Sequence, residues 1–244
     1  SSSDKECYRW LGTSAMMREW TGPRQAAPLY PESYDIANLL YEATMEVART
    51  ELEDDQTSQI GIRSRGMGIV AGSHKDKLVA DLLVNGDAAG YKAYDAGTAA
   101  TPYFFSASHI CRKTGASMTN ISTSVAATDT APTTAEMKTG IQAAIGAMRI
   151  LLNDQGEPAF VGPGAFKLIV QPSMEFAAKE AVQAAMIVTT SNVIQGIADV
   201  IVNPWLVAQD TDEMYLLYTG GPIKPFIFQD RMPLDFTALE ASSE

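Results

Sequence analysis

The sequence predicts a protein that mixes helices and strands, with a compact α/β or α+β subdomain in its second half. Three observations predict this class. The first is that residues 51–86 have the apolar spacing of one long helix. The second is that residues 33–49 alternate apolar and polar side chains, as a half-exposed strand does. The third is that helical and strand patterns follow one another from 134 to 219.

The long helix is predicted to occupy residues 54–85, after an acidic entry. Carboxylates are favourable near a helix N-terminus, and Thr57 or Ser58 is the predicted capping residue. Asn85 followed by Gly86 is the predicted end of the helix. At a 1.5 Å rise, about thirty residues span roughly 40 Å. Each internal glycine costs about 1 kcal/mol relative to alanine. These glycines are Gly61, Gly66, Gly68 and Gly72. We therefore expect either two shorter helices that separate near Gly66 and Gly68, or one helix held by neighbouring subunits.

The alternating segment predicts one arm of a long β-hairpin over residues 10–50. An extended segment at 10–20 precedes it, and a region rich in Gly and Pro at 22–31 joins the two. Residues 1–9 are predicted to be a polar N-terminal arm. An isolated hairpin is marginally stable in water, so we expect another subunit to complete it. Trp and Met are enriched at protein contacts, which makes Trp10, Met16, Met17 and Trp20 interface candidates; burial in the core of the same chain is the alternative.

The second half is predicted to contain an exposed linker followed by regular elements. The aromatic residues at 103–105 should anchor a loop to the core, and residues 114–134 form the Thr/Ser/Ala-rich linker. Thr133 and Glu136 make a capping box for a helix that ends near 153–156. Strands are predicted at 166–170, 193–202 and 214–219, and at 223–228 with an interruption at Pro225. A second helix should begin at 172–173, capped by Ser173.

Composition narrows the function classes. The chain has 244 residues, 46% hydrophobic and 19% charged, and a net charge of −11. An acidic surface argues against tight non-specific binding to nucleic acid, which needs clustered Lys and Arg. No apolar run approaches the roughly 20 residues of a membrane helix, and we expect no signal peptide. Because the chain begins with Ser1 and not with Met, we expect the natural chain to begin upstream.

Catalytic and metal-binding patterns are weak. The glycine-rich stretch at 162–167 lacks the spacing and the Ser/Thr of a phosphate loop, and we interpret it as a turn. Cys7 and Cys111 do not form a disulfide framework or a metal-ligand pattern. An enzyme built around Cys111, His109 and the acidic residues at 51–55 is one reading. In the simpler reading His109 pins a loop and the carboxylates cap a helix. We predict no cofactor, no metal and no catalytic residue.

Several stretches together resemble the major head subunit of Mu-like phages and prophages. In chain order they are MREW at 17–20 with Arg24, EAT at 42–44, ELEDDQ at 51–56, DLL at 81–83, YFF at 103–105, NDQG at 153–156, VNPWL at 202–206 and PIKPFIFQDR at 222–231. The last stretch is the most specific. The resemblance spans nearly the whole chain, and the order of the motifs is preserved.

This resemblance implies the α+β capsid fold of tailed phages, named for phage Hong Kong 97. Its parts would be an N-terminal arm (1–9), an extended loop (10–50), a peripheral domain (51–133) with a spine helix near 54–85, an axial domain (134–221) and a return strand (222–244). The implied assembly-interface residues are Trp10, Met16, Met17, Arg18, Glu19, Trp20, Arg24 and Tyr41.

The resemblance also implies a function and its partners. Copies of the chain would form hexamers and pentamers that close into an icosahedral head around double-stranded DNA, without sequence-specific binding. Decoration, portal and scaffold or protease proteins are the expected partners. Assembly would take place in the host cytoplasm, and the product would be the virion capsid. The alternative is an encapsulin-like cellular nanocompartment that encloses a protein cargo.

Overall fold

The structure is a computed structural model. It describes residues 5–11, 22–23, 31–55, 57–88, 103–122, 131–160, 162, 165–187, 190–208, 213–222 and 224–237. Within these ranges the elements are β1 (Lys5–Leu11), β2 (Pro31–Ala37), α1 (Arg49–Glu53), α2 (Gln59–Val84), β3 (His109–Ile110), β4 (Ser117–Met118), α3 (Thr134–Arg149), β5 (Phe166–Val170), α4 (Glu175–Gln183), β6 (Met186–Ile187), β7 (Thr190–Ser191), β8 (Ala198–Val202) and β9 (Tyr215–Tyr218). Short 3-10 helices lie at Pro172–Met174 and Pro204–Ala208.

The chain divides into two compact units. The first unit comprises Ser1–Tyr8, Asp35–Lys75 and Phe228–Glu244, and the second comprises Arg9–Tyr34 and Asp76–Ile227.

A three-stranded mixed sheet forms the centre of the second unit. Strand β5 lies between β8, which is parallel to it, and β9, which is antiparallel. Leu168 and Val170 of β5 face one hydrophobic cluster with helices α3 and α4, while Ile169 faces a second cluster with the end of α2. This alternation is what a strand buried on both faces produces, and the prediction of a buried strand at 166–170 is confirmed.

Local signals account for the two helices that cover one face of this sheet. In α3 the Thr133 hydroxyl accepts a hydrogen bond from the backbone N–H of Glu136, whose carboxylate accepts one from the backbone N–H of Thr133, so the predicted capping box is confirmed. The helix ends at Arg149, earlier than predicted. For α4 the predicted Ser173 cap is wrong, because Ser173 lies inside the 3-10 helix that leads into α4, and Met174 occupies the cap position of α4.

Helix α2 begins later than predicted. A separate short helix, α1, ends at Glu53, and residues 54–58 separate it from α2. Ser58 has a φ of 54°, which is not the extended geometry of a capping residue. The Asp55 carboxylate instead accepts hydrogen bonds from the backbone N–H groups of Thr57, Gln59 and Ile60. From Gln59 onward the helix is continuous through its glycines, so the single-helix alternative is confirmed and the alternative of two helices that separate near Gly66 and Gly68 is wrong.

The end of α2 is where the sequence predicts it. The helix stops at Val84, and the Gly86 N–H donates to the Leu83 carbonyl oxygen. A Cβ atom placed on Gly86 would lie 2.6 Å from the ring of Phe105, so glycine is required there by close packing. Phe105 packs against Tyr215 with ring centroids 5.6 Å apart, and Phe104 stacks on Phe226 at 6.1 Å. The predicted aromatic anchor of this loop is confirmed.

Two predicted strands are corrected by the structure. Strands β1 and β2 pair as a two-stranded sheet, but β1 begins at Lys5, inside the predicted arm, and β2 ends at Ala37. The predicted strand therefore does not continue through 38–48, because alternation gives a strand only where a ladder partner exists, and no described strand pairs with this segment. Residues 224–237 likewise contain no strand, so the predicted return strand near 223–228 is wrong over its described part.

Part of the predicted linker forms a strand. Its first residues form β4, which pairs antiparallel with β3 through His109 opposite Met118. Residues 123–130 lie outside the described ranges.

Candidate assembly surface

The first unit has no core of its own within the described residues. Every described side chain that is buried belongs to the second unit. The first unit instead exposes large apolar side chains, which we call the exposed apolar set: Leu39, Leu40, Tyr41, Met45, Leu52, Ile62, Ile69, Val70, Phe228, Met232, Leu234 and Phe236. Such exposure is typical of surfaces that bind another protein.

The N-terminal part of helix α2 carries three members of this set. Ile62 is 53% exposed, Ile69 74% and Val70 60%. No described atom lies within 4 Å of a Cβ placed on any of the glycines of this helix, which are Gly61, Gly66, Gly68 and Gly72. The other end of the helix is anchored, since Ala80 and Leu83 are fully buried in the second cluster. Glycine-rich sequence lowers helix stability, so this half depends on contacts that the described part of the chain does not supply.

The segment at 38–48 contains the most exposed side chain of the set. Leu40 is 93% exposed and Leu39 is 73% exposed. The predicted interface residue Tyr41 is 51% exposed, and its ring meets the ring of His74 edge-on with centroids 4.4 Å apart. Tyr41 is therefore held by α2 and still presents half of its surface.

The other predicted interface residues cannot be placed on this surface. Trp10 is in β1, but its side chain lies outside the described residues, as do Met16, Met17, Arg18, Glu19, Trp20 and Arg24. The C-terminal part of the set is not among the interface residues predicted from the sequence. The feature that could have indicated it is the period-two spacing of Met232, Leu234 and Phe236, whose side chains are 72%, 72% and 60% exposed.

Two carboxylates of this unit, those of Asp35 and Asp55, have defined partners. Lys5 on β1 and Asp35 on β2 are joined by a 2.6 Å salt bridge, and the hydrogen bond from Lys5 to Asp35 raises the pKa of the lysine. At the start of α2, the hydrogen bond from the Ile60 N–H lowers the pKa of Asp55, with smaller contributions from Gln59 and Thr57. The acidic residue thus serves as a helix cap, as the simpler reading predicts.

Cys111 and His109, which the enzyme hypothesis treats as catalytic, both bond to backbone carbonyl groups. The Cys111 thiol is buried and donates to the Asn153 carbonyl oxygen at 3.2 Å. Burial raises the pKa of this thiol, but hydrogen bonds from Thr114, Lys113 and Gly156 outweigh that effect and lower it. The His109 Nε2 atom lies 3.3 Å from the Phe104 carbonyl oxygen, so it pins a loop as predicted. In the part of the chain that the structure describes, no group of His, Cys, Asp or Glu has the arrangement of a metal site.

A cavity of about 490 Å³ lies beside α3 in the second unit. Met137, Ile141 and Met148 of α3, together with Leu168 and Leu216, give it an apolar lining. The described lining residues include Asp87, Glu136 and Glu213, and none of the described ones is His, Cys, Lys or Arg. Among the described helices, none is long and apolar enough to span a membrane.

Comparison with known sequences identifies the family. A sequence model of the Mu-like prophage major head subunit gpT matches residues 1–135 and 131–206. The chain belongs to this family. The resemblance recognised in the motifs from 17–20 to 202–206 is thereby confirmed, and the stretch at 222–231 lies beyond the matched residues.

Two curated relatives carry names that match the family. The chain is 33% identical over 86 residues to the major capsid protein of Escherichia phage Mu, an alignment that covers 35% of the chain and 28% of the relative. It is 31% identical over 111 residues to the Mu-like prophage FluMu major head subunit of Haemophilus influenzae, which covers 45% and 33%. These alignments thus span about a third of the length of the curated relatives.

Similarity to solved structures shows the fold of the chain. It is similar to the capsid of bacteriophage JBD30 decorated with minor capsid protein trimers, with a TM-score of 0.64 and 23% identity over 84% of this chain and 87% of the other. The JBD30 procapsid gives a TM-score of 0.56, with 23% identity over 84% and 88%. The predicted α+β capsid fold is therefore confirmed.

Proposed function

We propose that this chain is a major capsid protein that assembles with copies of itself into the head shell of a Mu-like phage or prophage. The observation that carries the proposal is the exposed apolar set of the first unit, which contains no buried described residue. Family membership and the capsid fold support it. In this function the chain works by geometry and performs no catalysis.

The finer assembly follows from closed symmetry. Hexamers and pentamers that repeat the same interfaces close into an icosahedral shell, which would assemble in the host cytoplasm and become the virion capsid. The net charge of −11 supports a wall that encloses double-stranded DNA without adhering to it, since like charges repel. Decoration, portal and scaffold or protease proteins are the partners that such a shell needs. The relatives named above are phage or prophage head proteins, which favours this reading over a cellular nanocompartment.

The domains are assigned on the same basis. We place the extended loop at 10–50 and the peripheral domain at 51–133, with α2 as its spine helix. The axial domain occupies 134–221, and the segment at 222–244 returns to the peripheral domain. The continuous sheet and two-helix layer between α3 and β9 support the axial assignment. The Trp and Met residues at 10–20, Arg18, Glu19, Arg24 and Tyr41 remain the proposed interface residues of the loop.

Electron microscopy of the purified chain tests this function. We expect closed particles of uniform diameter, and nuclease-protected DNA in particles taken from an infected or induced host. A dispersed and fully stable monomer would contradict the proposal. Particles filled with a protein cargo and free of DNA would favour the nanocompartment instead.

A matched pair of variants at Leu40 sharpens the test. Because Leu40 is 93% exposed, Leu40→Asp should leave the circular dichroism and thermal unfolding of the unassembled chain unchanged. A carboxylate buried in an apolar contact is strongly unfavourable, so particle yield should fall at least about ten-fold. Leu40→Met keeps the position apolar and should assemble normally. Equal particle yields from the two variants would remove Leu40 from the interface.

A further inference from the structure

Gln229 joins the two strands at the base of the hairpin. Its side-chain oxygen accepts a hydrogen bond from the Tyr8 hydroxyl at 3.2 Å, and its side-chain NH₂ donates to the Asn38 side-chain oxygen. Tyr8 is in β1 and Asn38 directly follows β2. These contacts span 221 and 191 positions of sequence. A single amide from the C-terminal segment therefore holds both hairpin strands.

The two neighbours of Gln229 contact a different element. The ammonium group of Lys75, on α2, lies 4.6 Å from the centre of the Phe228 ring and 3.7 Å from the Asp230 carboxylate. In an extended segment successive side chains point to opposite sides. Phe228 and Asp230 therefore face the helix, and Gln229 faces the hairpin. All of these residues belong to the first unit.

The hydrogen bonds of the Gln229 amide contribute more to the stability of this arrangement than the ion pair does. The side chains of Lys75 and Asp230 are 57% and 51% exposed, and exposed ion pairs contribute little. Gln229, Tyr8 and Asn38 are partly buried, which strengthens their hydrogen bonds relative to water. A carboxamide offers a donor and an acceptor at once, so Gln229 can satisfy a hydroxyl and an amide oxygen together.

We propose that residues 228–230 act as a bracket that holds the base of the β1–β2 hairpin against helix α2. No described residue of the first unit is buried, so polar contacts are what hold the base of the hairpin in this unit. The inference rests on the proposed shell function, in which the hairpin reaches a neighbouring copy. A hairpin base that is held in the same way in every copy gives the same contact between copies, and with it a uniform shell curvature.

Hydrogen exchange of the unassembled chain tests the bracket directly. Gln229→Leu keeps the bulk of the side chain and removes both hydrogen bonds, so amides of β1 and β2 should exchange on the order of ten-fold faster. Tyr8→Phe removes one of the two bonds, and its effect should not add to that of Gln229→Leu. Gln142→Leu on the exposed side of α3 is the control and should change nothing. Unchanged exchange of the hairpin in Gln229→Leu would overturn the bracket.

Particle geometry tests the consequence. Gln229→Leu should give particles with a broader range of diameters, or open sheets, while Gln142→Leu gives the wild-type distribution. Uniform wild-type particles from Gln229→Leu, together with faster hairpin exchange, would overturn the link from the bracket to curvature. If the wild-type chain forms no particles, the proposed function fails, and the link to curvature fails with it. The bracket itself is then judged by hydrogen exchange alone.

Discussion

Replacing Leu83 with alanine should detach the anchored end of helix α2 from the sheet. Leu83 is fully buried among Ile169, Leu206, Tyr215 and Leu217. Leu→Ala changes in such sites cost about 2–5 kcal/mol, because the lost contacts leave a cavity. For a chain of this length, about 3 kcal/mol corresponds to a decrease in Tm of about 6–12 °C.

The adjacent residue provides the control. Leu82 is on the same helix but is 45% exposed, so Leu82→Ala should cost less than about 1 kcal/mol. Thermal unfolding of the unassembled chain by circular dichroism gives the two Tm values. Hydrogen exchange then locates the loss, which should be confined to the end of α2 and the facing strands. Equal decreases for Leu82→Ala and Leu83→Ala would refute the packing of this helix end in the second cluster.

Three further predictions concern glycines and the cap of the same helix. In the double variant Gly66→Ala, Gly68→Ala the added Cβ atoms meet no described atom beyond the backbone of the helix, so the helix should be stabilised by about 2 kcal/mol. If these glycines let the spine helix bend, particles of this variant should expand more slowly during maturation than particles of the exposed control Gly146→Ala. An unchanged expansion rate would exclude a hinge at these glycines. Gly86→Ala should destabilise by about 1–3 kcal/mol through overpacking against Phe105, measured by denaturant unfolding; no loss would contradict the 2.6 Å contact. The pKa of the Asp55 carboxyl is lowered from 3.8, so the stabilisation that this cap gives to α2 is complete above pH 3.8 and is lost as the pH falls through the pKa of the folded state. The backbone amides at 59–62 should therefore lose protection from hydrogen exchange in acid, whereas in Asp55→Ala they should lack that protection at every pH. Protection that does not depend on pH in the wild type would contradict the cap.

The sequence predicts an element well where its signals are local. The capping box at Thr133 and Glu136 marks the start of α3 because both partners lie within one turn. The run at 166–170 marks β5 because a strand buried on both faces needs a nearly continuous apolar run, which Lys167 alone interrupts here. The glycine after Asn85 marks the end of α2, although the pattern does not reveal that Phe105 is what excludes a larger side chain.

The two strands predicted wrongly have a common physical cause. Alternation at 38–48 and apolar residues at 223–228 both indicate strands, but an extended segment becomes a strand only when a partner offers its backbone groups. No described strand of this chain does so for either segment. The start of α2 was missed for a different reason: Ser58 takes a left-handed φ, and the Asp55 carboxylate replaces the expected hydroxyl cap. The interface candidates at 10–24 rest on residue type, and the side chains of Trp10, Met16, Met17, Arg18, Glu19, Trp20 and Arg24 lie outside the described residues.

An unfinished first unit suits a protein whose interfaces must form correctly many times. Burying a large apolar side chain contributes about 1.5–3 kcal/mol, so burying about six members of the exposed apolar set would contribute roughly 9–18 kcal/mol. Association costs about 4–15 kcal/mol in lost freedom. The net stabilisation of each contact is therefore modest, and a misplaced copy can dissociate before the shell closes. Because each copy then gains from several neighbours at once, the closed shell is far more stable than any single contact in it.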